Sequence, residues 1–119
     1  MSKFIHVGSS SIVKTLKQEE KIPTSPNPWP PYNPNEVVFL FDYRNALMSE
    51  VLEIANNKIE SQRAAYMLSF RLHPLSLKDV EEDRSQSGWT GSCAHKGAIS
   101  KRHLTQLDAI ELSSLSTAL

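Results

Sequence analysis

Val37-Val38-Phe39-Leu40-Phe41-Asp42-Tyr43-Arg44-Asn45-Ala46-Leu47 is the stretch on which the fold turns. Its first five residues form an uninterrupted apolar run. Two readings compete for it. Enrichment in β-branched and aromatic residues over 37–41 points to a buried strand ending at Asp42. The absence of Gly or Pro between Phe41 and Arg44 instead allows one helix from about Glu36 to Leu72, with Asn35 as its N-cap. The sequence leaves both open.

Beyond Asn45 the pattern reads as helix. Leu47, Met48, Val51, Leu52, Ile54, Ala55 and Ile59 form a broad apolar face, and Ala64, Ala65, Met67, Leu68 and Phe70 continue it. His73-Pro74 stops it. A central helix over about 44–72 is therefore the expected organising element, with Asn56-Asn57 as its weakest point. A lone helix cannot bury so wide a face. The few residues after it point to cover by another chain, in a homo-oligomer or a hetero-complex. A monomer that folds over its own helix is the alternative.

The flanks read differently. A short strand is expected over 4–7, and Ser9, Ser10 and Ser11 can cap a short helix carrying Ile12, Val13 and Leu16. Six of the seven prolines fall within 23–34, which excludes helix and favours extended structure with turns. Trp29 and Tyr32 interleave with them, either pinning a linker to the domain or docking a partner with an aromatic groove. After Pro74, Ser76 reads as the cap of a short acidic helix through Leu77, Val80 and Arg84. Gly88, Trp89 and Gly91 read as a loop. Leu104, Leu107, Ile110, Glu111 and Leu115 suggest a final helix over 100–115. The fold class expected is a mainly helical α+β single small domain. It has one long central helix, one or two short strands and a Pro-rich N-terminal arm. Residues 1–34 form the arm and 35–119 the domain.

The chain has 119 residues, with 13 Lys and Arg against 13 Asp and Glu, so no bulk charge marks a nucleic-acid binder. The single cysteine, Cys93, cannot close an intrachain disulfide and rules out Cys-rich zinc modules. No apolar run approaches the ~20 residues of a membrane-spanning helix, and no signal-peptide pattern is present. A cytoplasmic protein without membrane attachment is expected. Phosphate loops and nucleophile elbows are missing.

Three groups of residues could carry chemistry. The quoted stretch resembles the opening of the NYN ribonuclease domains, in which a hydrophobic strand presents an Asp and then an Asn at the start of the first helix. The likeness spans these eleven residues. It implies that Asp42 helps hold a divalent metal that activates water for phosphodiester cleavage, with Asn45 beside it. Such a site needs further carboxylates at the ends of parallel strands, and no further strand–Asp unit is found in the sequence. Cys93, His95 and His103 offer three soft or borderline ligands without a fourth at usual spacing. Cys93 with His103 or His6 as base would make a nucleophile pair, equally incomplete. His95, Lys96, Lys101, Arg102 and His103 could touch phosphate, or pair with the acidic run over 79–83.

The functional expectation is a non-enzymatic, protein-binding adaptor, inhibitor or assembly subunit. It would act through Trp29 and Tyr32 in the arm and Leu47, Val51, Tyr66 and Phe70 on the helix. No catalytic residue, metal or cofactor is assigned. The alternative is a metal-dependent nuclease-like or nucleic-acid-binding protein using Asp42, Asn45 and the basic residues Lys96, Lys101 and Arg102.

Overall fold

The computed structural model describes residues 2–85 and 88–112. Chain order is β1 (Lys3–Gly8), α1 (Ile12–Glu19), β2 (Lys21–Ile22), β3 (Val37–Asp42), α2 (Met48–Gln62) and β4 (Ala65–Leu72). Then come α3 (Pro74–Leu77), β5 (Val80–Glu82), β6 (Ser92–Lys96), β7 (Ile99–Ser100), a 3-10 turn (Lys101–His103) and β8 (Leu104–Leu112). Six strands form one antiparallel sheet in the order β5-β6-β3-β1-β4-β8, and β2 pairs with β7 in a small second sheet.

The expectation of a mainly helical domain is wrong. Among the described residues 38% lie in strands and 28% in helices, and only one helix is long. Nor is the N-terminal segment an arm, because β1 sits in the sheet between β3 and β4. It is antiparallel to both, so β3, α2 and β4 make a split βαβ unit around it.

The open question over 37–41 resolves as strand. β3 lies between β1 and β6 with both faces covered, which is why its first five positions are all apolar. Val38 and Leu40 pack with Ile12 and Leu16 of α1 and with Ile22 and Ile99 of the small sheet. Val37 and Phe39 pack with Tyr32 and Ala94 on the other face.

The expected helix over 44–72 is two elements. Arg63 takes a left-handed conformation (φ 69°), and its N–H donates to the carbonyl of Ile59, closing α2. Glycine most often occupies that position, so the stop carries no sequence signal. β4 then alternates, placing Leu68, Phe70 and Leu72 in the core on the α1 side. The broad apolar face of α2 is covered by the chain's own sheet: Val51 and Ala55 pack against Ile5, Val7, Phe41 and Ala65.

In place of the expected C-terminal helix over 100–115 stand a 3-10 turn (Lys101–His103) and β8 as far as Leu112, and residues 113–115 lie outside the described residues. β8 pairs with β4 through a bulge: Thr105 faces Arg71 and Asp108 faces Ser69, so three steps on β8 match two on β4. Gln106 within it has φ 50°. Leu104 and Leu107 therefore both pack on the α1-side core although they are three residues apart. That spacing imitates a helix. Ser76 does not cap its helix, either. His73 is the N-cap of the single-turn α3, and Val80 belongs to β5.

No helix among the described residues is long and apolar enough to cross a membrane.

Candidate functional site

β1 pairs with β4 along its whole length but with β3 only at Phe4↔Asp42 and Ile5↔Phe41. Past Ile5 the two strands part. His6 Nδ1 bridges the gap, donating to the carbonyl oxygen of Phe39 at 2.9 Å. Since a carbonyl only accepts, this bond fixes the proton on Nδ1 and leaves Nε2 as a lone pair. Nε2 takes no hydrogen bond among the described residues.

The gap opens into a cleft of about 420 Å³ between α2 and the Pro-rich segment. Trp29, Phe39 and Trp89 supply aromatic surface there, and Asn57, Lys58 and Gln62 supply polar groups from α2. No Asp or Glu is among the described residues that line it. Lys58 is half-buried and forms no ion pair among the described residues. Burial holds its ammonium below the usual lysine range. Burial likewise pulls the His6 pKa down to about 4, opposed by the bond to Phe39 and reinforced by the Lys58 charge. At neutral pH the cleft thus presents a neutral imidazole acceptor, an under-solvated ammonium and aromatic walls.

The residues singled out by sequence are scattered. Trp29 stands at the cleft, 41% exposed, tilted against Phe39 at 5.0 Å between ring centres. Tyr32 is buried and pins the Pro-rich segment. Its hydroxyl donates to the carbonyl of Glu82 (3.4 Å) and accepts from the N–H of Arg84 (2.9 Å). Leu47 is exposed before α2. Val51 and Phe70 are fully buried in separate clusters, so neither offers surface to a partner. Tyr66 donates its hydroxyl to Glu111 at 3.3 Å.

Asp42 and Asn45 are brought together. Asn45 Nδ2 donates to Asp42 Oδ2 at 2.7 Å and the N–H of Arg44 to Oδ1 at 3.1 Å, a turn that leads into α2. The sheet that presents Asp42 has only antiparallel pairings, and β4, which runs parallel to β3 across β1, brings Arg71 rather than a second carboxylate to that edge. No group of three His, Cys, Asp or Glu placed to hold a metal occurs among the described residues.

Cys93, His95 and His103 do not converge. The Cys93 thiol donates to the carbonyl of Gly91 (3.4 Å), and its pKa is raised, first by burial and then by the Asp42 charge. His95 Nδ1 bonds the carbonyl of Gly97 at 2.8 Å. His103 shares a 2.6 Å hydrogen bond with Ser76 and stacks on His73. Of the basic residues, Lys96 reaches Glu81 at 3.9 Å, while Lys101 and Arg102 are exposed.

Lys58 escapes sequence reasoning, and His6 enters it only as a candidate base for Cys93, not as a cleft residue. They lie in different elements, and a lone His in a strand or a Lys on a helix carries no motif. The chain matches no known family model, no curated protein and no solved structure.

Proposed function

We propose that this chain is a binding protein for a small organic anion, a carboxylate or phosphate carried on a flat or apolar body. The observation that carries this reading is Lys58: a half-buried ammonium without an ion-pair partner among the described residues, beside a cleft that no described carboxylate lines. Leaving such a charge unmatched costs stability, and an incoming anion offsets that cost. The volume suits a ligand of this size, since small-molecule sites span roughly 300–1,000 Å³. Aromatic walls favour a planar body, Asn57 can donate to the anion, and His6 Nε2 can only accept, from a donor on that body.

Both tryptophans of the chain line the cleft, so their fluorescence reports on it directly. Titration with benzoate and phenyl phosphate is expected to change that fluorescence saturably, and Lys58→Met to abolish the response. Benzamide binding as tightly as benzoate, or an unaltered response in Lys58→Met, would rule the reading out.

A second reading keeps the protein-binding adaptor, inhibitor or assembly subunit. It is supported by Trp29, Leu47 (52% exposed) and Met48 (45% exposed), large apolar side chains left in solvent. Light scattering across a concentration series tests self-association, and a mass that stays monomeric removes the homo-oligomer. A cytoplasmic location belongs to either reading and rests on the unpaired thiol of Cys93.

A further inference from the structure

At the opposite end of the β1–β3 pair, a second hollow of about 420 Å³ is lined by Ser2, Lys3, Asp42, Tyr43, Arg44 and Arg71. We propose that it is a phosphate-binding site, independent of the cleft. Lys3 and Arg71 are direct register partners across β1 and β4. Like charges directly opposite one another in a sheet are destabilising, with Cβ atoms about 4.5–5.5 Å apart. Neither finds a carboxylate: Lys3, Arg44 and Arg71 make no ion pair among the described residues. Lys3 instead rests its ammonium over the Tyr43 ring at 4.3 Å from the ring centre.

Arg71 carries a separate sign of an absent partner. Its Nε is fully buried and has no hydrogen bond among the described residues. A buried donor left unmatched is costly, and guanidinium is the group best shaped to meet phosphate through two parallel bonds.

Asp42 is the one acid among the described residues at the hollow, and both its oxygens are already engaged, by the N–H of Arg44 and by Asn45 Nδ2. Three cations against one hydrogen-bonded carboxylate leave the hollow positive. A phosphate would lie between the Lys3 ammonium and the Arg44 and Arg71 guanidinium groups, and Ser2 could donate its hydroxyl. The phosphate could belong to a small phosphate ester or to a nucleic-acid backbone.

Amide-resolved NMR titration of the full chain tests this. Inorganic phosphate is one probe and single-stranded oligothymidylate the other, with chloride at matched ionic strength as control. Phosphate is expected to shift the amides of Lys3, Tyr43, Arg44 and Arg71, while those of His6 and Lys58 stay still. Arg71→Gln should weaken binding by about tenfold or more. Arg44→Gln, at an exposed position that cannot unfold the sheet, should weaken it as well. Tighter binding of oligothymidylate than of phosphate at the same amides assigns the site to a nucleic-acid backbone, and the reverse order to a small ester. Shifts reproduced by chloride, no shift at these four amides, or undiminished affinity in Arg44→Gln would overturn the proposal.

Discussion

The imidazole of His6 donates its Nδ1 proton to the carbonyl of Phe39 where β1 and β3 have ceased to pair. One side chain thus stands in for the ladder hydrogen bonds that the parted strands lack, and it needs a proton on Nδ1 to do so.

Burial of that imidazole, against the pull of the bond to Phe39, gives stability a defined pH dependence. The folded pKa of His6 is about 4, against 6.5 in the unfolded chain. Between these values the unfolded state binds the extra proton, so acid favours unfolding. The stabilisation is complete above pH 6.5 and is lost as pH falls to about 4, an effect of up to about 3 kcal/mol. Urea denaturation at a series of pH values should show the decline. In His6→Asn, which keeps a donor for Phe39 but cannot titrate, the slope over this window should flatten.

Lys58→Met should stabilise the unliganded protein while destroying anion binding. Removing a half-buried, unmatched ammonium and keeping its apolar stem is worth about 1 kcal/mol. A lower thermal midpoint in Lys58→Met would show that the ammonium has a structural partner after all.

Tyr32→Phe removes the hydroxyl that links the carbonyl of Glu82 to the N–H of Arg84. A loss of about 1–2 kcal/mol is expected, with the ring still packed on Phe39. Faster exchange of the Arg84 amide in deuterated water would localise the effect to the contact between the Pro-rich segment and β5.

Gly91→Ala should be costly for two reasons. Its φ is +76°, where other residues are strained, and a Cβ there would lie 2.9 Å from the backbone N of Ala46. Gly91 also accepts the N–H of Asp42 through its carbonyl at 2.8 Å. A destabilisation of about 1–3 kcal/mol follows, measurable by chemical denaturation. An unchanged midpoint would mean that the turn at Asp42–Ala46 can yield.

The sequence shows some of this plainly and hides the rest for physical reasons. β1 is legible over 4–7, and β3 is half-legible: its β-branched and aromatic run reads as a central strand, but nothing after Phe41 stops a helix reading. The period-two pattern of Tyr66, Leu68, Phe70 and Leu72 abuts a helical face with no glycine between them, since Arg63 makes the left-handed turn, so these residues read as more helix. β8 was disguised by its bulge. As for the sites, His6 meets Lys58, and Lys3 meets Arg71, only because β1 threads between β3 and β4. No local spacing encodes those meetings. Asp42 and Asn45, three apart on one turn, are the pairing that spacing could show.

The bulge at Gln106 has a second effect. β8 is an outermost strand of nine residues, long enough to recruit a strand from another molecule. A dislocated backbone at Gln106 breaks its outward row of donors and acceptors, and Asp108 and Glu111 place negative charge on the same strand. An approaching copy would meet an interrupted template and like charge. The irregularity that gives this strand its helix-like spacing also makes its outer edge, among the described residues, a poor template for a strand from another copy.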